Sequence, residues 1–207
     1  LKDYLQQNTY SQYFILVDEN TLQFCISDVI QNVEILKDAE VIETESGEEN
    51  KVIEVVTQVW LAMSDLHADR KALVINLGGG VLGDMGGFIA SVYKRGLTFI
   101  HIPTTLLGMV DAAIGGKNGI DLNGFKNQLG TITQPARVFV DAGFLSTLPP
   151  EEIFNGYAEM LKHALIGDAK LWEEIRHIQS EEALIQEAVI LQSIRVKTNI
   201  IEQDPFE

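Results

Sequence analysis

The sequence predicts an α/β fold that passes into an all-helical segment. Three observations carry that expectation. Short, mostly apolar runs of strand length, such as Phe14-Ile15-Leu16-Val17 and Ala72-Leu73-Val74-Ile75-Asn76-Leu77, alternate with stretches whose apolar residues recur every three or four positions. A glycine-rich stretch, Gly78-Gly79-Gly80-Val81-Leu82-Gly83-Asp84-Met85-Gly86-Gly87, joins the second run to Phe88-Ile89-Ala90-Ser91-Val92-Tyr93, which can continue as a helix. Beyond Leu148-Pro149-Pro150 the composition turns helix-forming as far as Lys197, with one break near Gly167.

Taken in order, the first strand runs from Phe14 to Asp18 and leaves through Asp18-Glu19-Asn20. Val41-Ile42 is a second, shorter apolar stretch. From Glu48 the spacing of Val52, Val55, Val56, Val59 and Trp60 is helical. The strand at 72–77, the glycine turn and its helix follow, then a strand at Leu97–Ile102 that Pro103 ends, since proline has no N–H for a ladder. Val138-Phe139-Val140-Asp141 reads as a further strand. Pro150 with Glu151-Glu152 makes a sound helix start. The boundary near Pro149 divides the chain into a domain at 1–148 and the first helices of another at 149–207.

Composition narrows the classes of partner. The 207 residues are 46% hydrophobic without a long charge-free apolar run, so no membrane span is expected. A net charge of −15 argues against nucleic acid as a partner. That charge sits in the flanks: residues 72–165 hold six basic and seven acidic side chains, so an anionic ligand is best tolerated in the middle of the chain. No leader segment is evident, although the chain begins with Leu1 and not Met. One cysteine, Cys25, excludes an internal disulfide and fits a reducing, cytoplasmic setting; it reads most simply as a small buried apolar residue.

Strand, glycine turn and helix together let backbone N–H groups approach a pyrophosphate, because glycine has no Cβ to block it and the helix start favours negative charge. Gly78, Gly80 and Gly83 meet the Gly-x-Gly-x-x-Gly spacing, giving a Rossmann-like dinucleotide-binding reading. A plain glycine turn without ligand is the blander alternative. One part of the usual fingerprint is missing: an acid about 20 residues after the first glycine holds the ribose. Here that region reads Leu97-Thr98-Phe99-Ile100-His101-Ile102, so the ribose must be held from elsewhere.

Further motifs follow in order: Arg95-Gly96, Pro103-Thr104-Thr105-Leu106-Leu107, Asp111, Gly115-Gly116-Lys117, Lys126-Asn127 and Gly156-Tyr157-Ala158-Glu159-Met160-Leu161-Lys162. The set resembles the 3-dehydroquinate synthase family from about Asp18 to the last residue, densely over roughly half the chain. The resemblance implies an N-terminal α/β domain that binds NAD and a helical domain with a divalent metal, zinc or cobalt. It implies a homodimer, and a reaction of the shikimate pathway. There, 3-deoxy-D-arabino-heptulosonate 7-phosphate becomes 3-dehydroquinate and phosphate, through transient oxidation by NAD, elimination, re-reduction, ring opening and aldol closure.

Residue roles follow from the same resemblance. Asp18 and Asn20 match contacts at the adenosine end of NAD, and Glu48 and Lys51 a second nucleotide contact. Gly79, Gly80 and Val81 would line the pyrophosphate, with Asp84 toward the nicotinamide. Thr104 and Thr105, and the run Phe144-Leu145-Ser146-Thr147, match further cofactor contacts. Arg95, Asp111, Lys117, Lys126, Asn127, Lys162 and Lys197 fall on substrate positions, Lys162 and Lys197 also on catalytic ones, and Glu207 on a general-base position. A sugar acid phosphate carries a carboxylate and a phosphate, so such a pocket needs several cations. Glu159 matches one metal ligand; the family's two histidine ligands would fall beyond Glu207, which makes a fragment with an incomplete metal site the expectation.

Plainer roles stand beside these. Lysines are usually solvated surface charges, and Asp84 or Asp111 can cap a helix. His163, four residues after Glu159, could share a metal with it on one helix face, but with the family's histidine ligands falling further along it is read as a neighbour or helix-surface residue; His67, His101 and His177 look ordinary. Other NAD-dependent sugar-phosphate cyclases, metal-dependent polyol dehydrogenases and a non-catalytic nucleotide-binding module remain competing readings. The combination of Lys117 with Lys126-Asn127 and Glu159-Met160-Leu161-Lys162 favours the first family.

Overall fold

A computed structural model describes residues 1–178 and 180–204; Glu207 therefore lies outside the described residues. After a short helix α1 (Lys2–Gln7), the chain enters β1 (Tyr13–Asp18), α2 (Glu19–Phe24), α3 (Ile26–Asn32) and β2 (Glu40–Thr44). Then come α4 (Ile53–Asp65), β3 (Leu73–Gly78), α5 (Gly80–Val92) and β4 (Thr98–Pro103). A hairpin of β5 (Lys117–Leu122) and β6 (Phe125–Ile132) and a two-residue strand β7 (Arg137–Val138) complete the first part. The rest is helical: α6 (Pro150–Gly167), α7 (Ala169–Ile175), α8 (Glu181–Leu184) and α9 (Glu187–Gln203).

Five strands pair in parallel in the order β2-β1-β3-β4-β7. Both faces are covered, which is why the strands read as continuous apolar runs instead of alternating ones. Phe14, Leu16 and Val74 face Val56, Val59 and Met63 of α4 and Met85 and Ile89 of α5. Ile15, Val17, Ile75 and Leu77 point the other way, onto Ile26, Val29 and Leu36. A third cluster joins Leu106, Met109 and Val110, which follow β4, to Ile153 and Met160 of α6, Leu171 of α7 and Val189 of α9. The helical layer is thus seated on the segment that leaves the sheet at Pro103.

Helix α5 lies close against its neighbours. A Cβ on Gly86 would run into Asn76 of β3, and one on Gly87 into Asn118 of β5. These glycines serve the approach of helix to sheet, not a turn.

Three elements differ from the expectation. The helix read from Glu48 begins at Ile53; Glu48–Asn50 is a 3-10 turn entered through Gly47 at φ +101°. The strand expected to reach Asp141 pairs only at Arg137 and Val138, because Asp141 turns away and accepts a hydrogen bond from Gly143 N at 2.8 Å. The β5–β6 hairpin was not anticipated, although Asn123-Gly124 at its tip, at φ +51° and +80°, is the residue pair that tight antiparallel turns favour. Among the described residues no helix is long and apolar enough to cross a membrane.

Candidate functional site

The strand order makes one crevice inevitable. From β1 the chain moves outward to β2, then crosses back over β1 to β3 and continues the other way to β4 and β7. The direction reverses between β1 and β3, and ligands of open parallel sheets bind at the carboxyl ends on either side of such a reversal. Leu16 is level with Asn76, so Asp18 at the end of β1 stands beside Gly78 at the end of β3. The adjacent strand thus brings an acid, Asp18, sixty residues earlier in the chain, to the side of the glycine turn.

A cleft of about 570 Å³ opens there. One wall carries Asp18, Asn20 and the loop Ser46-Gly47-Glu48; the floor is Gly79, Gly80 and Val81; the far wall holds Thr104, Thr105, Phe144 and Thr147. Asp18 caps α2, its Oδ1 accepting from Thr21 N at 2.8 Å. Ser46 is fastened to Glu19, donating from N to Oε2 at 2.8 Å and from Oγ to Oε1 at 2.5 Å, which holds the Glu19 carboxyl below the usual carboxylate range. Gly79 stands at the N-terminus of α5, where a Cβ would sit 3.0 Å from the Thr105 methyl group. No acid lies in the first turn of α5, so its free N–H groups face the cleft unopposed. Thr104 N donates to Gly78 O at 3.0 Å, and Thr105 Oγ1 accepts from Gly108 N at 3.1 Å. Bare backbone, a helix N-terminus and a flanking acid at a sheet reversal are what a dinucleotide requires, so the residues present fit that group.

A second, polar cleft of about 500 Å³ is lined by Asp84, Asp111, Lys117, Asn127, Thr131 and Lys197, among others. Asp84 is reached by the Lys51 ammonium at 2.7 Å, which also donates to Asn127 Oδ1 at 2.8 Å. Burial raises the Asp84 carboxyl above its usual range despite that ammonium. Asp111 of this cleft also belongs to a cluster in which ligand atoms of Asp111, Glu159 and His163 lie within 4.8 Å of one another. Lys197 Nζ is 2.5 Å from Asp111 Oδ1, without hydrogen-bond alignment, and Lys162 Nζ is 2.8 Å from Glu159 Oε1.

His163 is the residue the sequence placed least well. It is 1% exposed, not on a helix surface, with Nε2 at 3.2 Å from Glu159 Oε1 and Nδ1 at 2.8 Å from the buried Ser193 Oγ. Nδ1 and Ser193 Oγ share a hydrogen bond whose direction depends on the imidazole tautomer, while Nε2 faces Glu159 without hydrogen-bond alignment. Burial lowers the imidazole pKa, against the opposing pull of Glu159 and Asp111. In the tautomer with the proton on Nδ1, Ser193 accepts and Nε2 is free to act as a ligand. Two carboxylates and an imidazole fit a divalent cation of the zinc or cobalt type.

Not every expected residue is gathered. Lys51 points away from the dinucleotide cleft, into the Asp84–Asn127 pair. Leu145 is 1% exposed and belongs to the helical core, and Ser146 Oγ donates to its own turn at Gly143 O. Lys126 pairs with Glu48 at 3.1 Å and remains largely exposed. Arg95, at φ +72°, is exposed and lines neither cleft. Ser193 was missed, since a serine within a helix gives no sequence signal of its own.

The arrangement is that of a Rossmann-like α/β domain with a glycine-floored cleft at its sheet reversal and a lysine-bearing cleft beside it. The 3-dehydroquinate synthase N-terminal family matches residues 41–155, and the 3-dehydroquinate synthase C-terminal family matches residues 156–207. The 3-dehydroquinate synthase of Parabacteroides distasonis is 40% identical over 209 residues, covering 100% of this chain and 59% of the relative. Among solved structures, 2-deoxy-scyllo-inosose synthase complexed with carbaglucose-6-phosphate, NAD+ and Co2+ superposes with a TM-score of 0.85 at 28% identity, over 96% of this chain and 56% of that one. ValA, the 2-epi-5-epi-valiolone synthase of Streptomyces hygroscopicus subsp. jinggangensis with NAD+ and Zn2+ bound, gives 0.83 at 32% identity, over 96% and 57%. The chain belongs to the 3-dehydroquinate synthase family. It spans 59% of the length of the Parabacteroides relative.

Proposed function

We propose that the protein carries the cofactor domain and the first helices of a 3-dehydroquinate synthase, divided near Pro149. In this reading it converts 3-deoxy-D-arabino-heptulosonate 7-phosphate to 3-dehydroquinate and phosphate. The observation that supports it best is the nearness of the two clefts: a Cβ on Gly80, in the floor of the first, would lie 3.0 Å from that of Ala112, which lines the second together with Asp111, Lys117, Asn127 and Lys197.

NAD would be held by Asp18, Asn20 and Glu48 at its adenosine end, by Gly79, Gly80 and Val81 at the pyrophosphate, and by Thr104, Thr105, Phe144 and Thr147 along the far wall. When bound, it supplies a hydride acceptor that is restored within the turnover. Glu159, with Asp111 and His163 beside it, would hold a divalent metal, which polarises the oxygen of the alcohol to be oxidised. Lys117 and Lys197 offer ammonium groups to the phosphate and carboxylate of the substrate, and Asn127 offers an amide to its hydroxyls. Lys162 and Lys197, which pair with Glu159 and Asp111, would move protons or charge beside the reacting groups. Glu207 enters this reading as a general base on the family resemblance alone. A homodimer and a cytoplasmic setting rest on the same footing.

Calorimetric titration with NAD tests the cofactor half: heat and a thermal shift at millimolar NAD are expected, and the absence of both refutes it. Phosphate release from several cyclase substrates tests the reaction half. The likeness to 2-deoxy-scyllo-inosose synthase and ValA favours a second reading, another sugar-phosphate cyclase, which predicts turnover of a different phosphorylated sugar.

A further inference from the structure

We infer that Lys51 is a positioning residue that ties the nucleotide cleft to the polar cleft, so that a nucleotide in the first stiffens the β5–β6 hairpin that walls the second. This rests on the reading of the first cleft as a nucleotide site.

The link begins at one short turn. Ser46, Gly47 and Glu48 line the nucleotide cleft. Three residues on, Lys51 is only 3% exposed, and its ammonium spans Asp84 Oδ2 at 2.7 Å and Asn127 Oδ1 at 2.8 Å, both residues of the polar cleft. Two further links fasten the same turn to the same hairpin: Lys51 O accepts from Asp121 N at 2.8 Å, and Glu48 pairs with Lys126 at 3.1 Å. Within the hairpin, Asp121 Oδ1 accepts from Asn127 N at 2.8 Å.

The hairpin needs that support. It is a two-stranded sheet, marginal by itself; β5 is seated on α5 through Asn118 and Ile120, whereas residues 125–128 of β6 are exposed. Asn127 also sits at φ +53°, a left-handed conformation that non-glycine residues keep only where their surroundings hold them. Its backbone N–H and its side-chain oxygen are the two groups held, by Asp121 and Lys51. A ligand that restrains Ser46–Glu48 therefore restrains Lys51, and Lys51 restrains Asn127. By linkage the effect is reciprocal: a ligand on Asn127 tightens nucleotide binding.

Hydrogen–deuterium exchange on the chain, with NAD as the probe, tests this. NAD is expected to slow exchange around the glycine turn, 79–92, and also across the hairpin, 117–132, by about fivefold or more in each. Lys51→Met keeps the slowing at the glycine turn and loses it in the hairpin, and Lys51→Arg, which keeps the charge, restores part of it. Asn127→Gly removes the amide while tolerating the positive φ, leaves the Lys51–Asp84 pair in place and loses the hairpin response; it decides the matter should Lys51→Met not fold. Hairpin slowing that persists in Lys51→Met or Asn127→Gly overturns the inference. Slowing at the glycine turn alone in the unsubstituted protein overturns it while sparing the nucleotide reading; slowing nowhere removes both.

Discussion

Three glycines of α5 should respond with opposite sign to the same substitution. Alanine in a helix interior gains about 1 kcal/mol over glycine when nothing obstructs its methyl group. At Gly83 the nearest atom to an added Cβ is His101 Nδ1 at 3.9 Å, ordinary contact, so Gly83→Ala should stabilise by about 0.5–1 kcal/mol. At Gly87 the methyl would lie 2.5 Å from Asn118 Cγ. Asn118 is not free to yield, since its Nδ2 donates to Gly116 O at 2.8 Å and to Thr133 O at 2.9 Å. Overpacking costs about 1–3 kcal/mol, and loss of two buried hydrogen bonds about 1 kcal/mol each. Set against the helix gain, Gly87→Ala should destabilise by about 2–4 kcal/mol. Gly86→Ala falls between, because Asn76, which it meets, is held by a single side-chain contact, to His101 Nδ1 at 3.2 Å. Urea unfolding followed by circular dichroism gives the order. A Gly87→Ala protein as stable as the parent would refute the close seating of α5 on the hairpin.

Other outcomes follow from single groups. Burial lowers the His101 pKa to about 4, so the unfolded chain binds its proton first as pH falls below 6.5, and stability is lost in the window from 6.5 down to about 4. Urea midpoints should therefore fall from pH 7 to pH 5, and His101→Gln should remove about 2 kcal/mol of that fall; an unchanged slope would contradict the buried neutral imidazole. Burial, aided by Asp18 and Asp28, pushes the Cys25 thiol up to about 11, so thiol reagents at pH 8 should label it slowly in the folded protein and fast in urea. Asp18→Ala should lose about 1 kcal/mol of helix-cap stability and weaken NAD binding as well; loss of stability with unchanged NAD affinity would remove Asp18 from the nucleotide site.

Much of the fold was legible because both faces of the sheet are buried. β1, β3 and β4 announce themselves as apolar runs, and Pro103 marks where the last of them ends. Helices α6 to α9 were visible as helix-forming composition after Pro150. The hairpin was not, because the outer residues of β6 are exposed and it carries little apolar pattern, although Asn123-Gly124 was there to be read. The site divides the same way. Local features such as the glycine turn survive translation from sequence to structure. Lys51 and His163 do not, since what a side chain meets across the fold depends on partners 33 and 30 residues away, Asp84 and Ser193.

The two walls of the nucleotide cleft come from strands that meet only when β1 and β3 lie side by side. Neither Asp18 nor the glycine turn makes this cleft alone, so a nucleotide bound there would report the correct threading of the whole sheet. Under the proposed function, excess cofactor would thereby favour the finished topology over partly assembled chains, and the ligand would act as an inspector of the fold as well as its passenger.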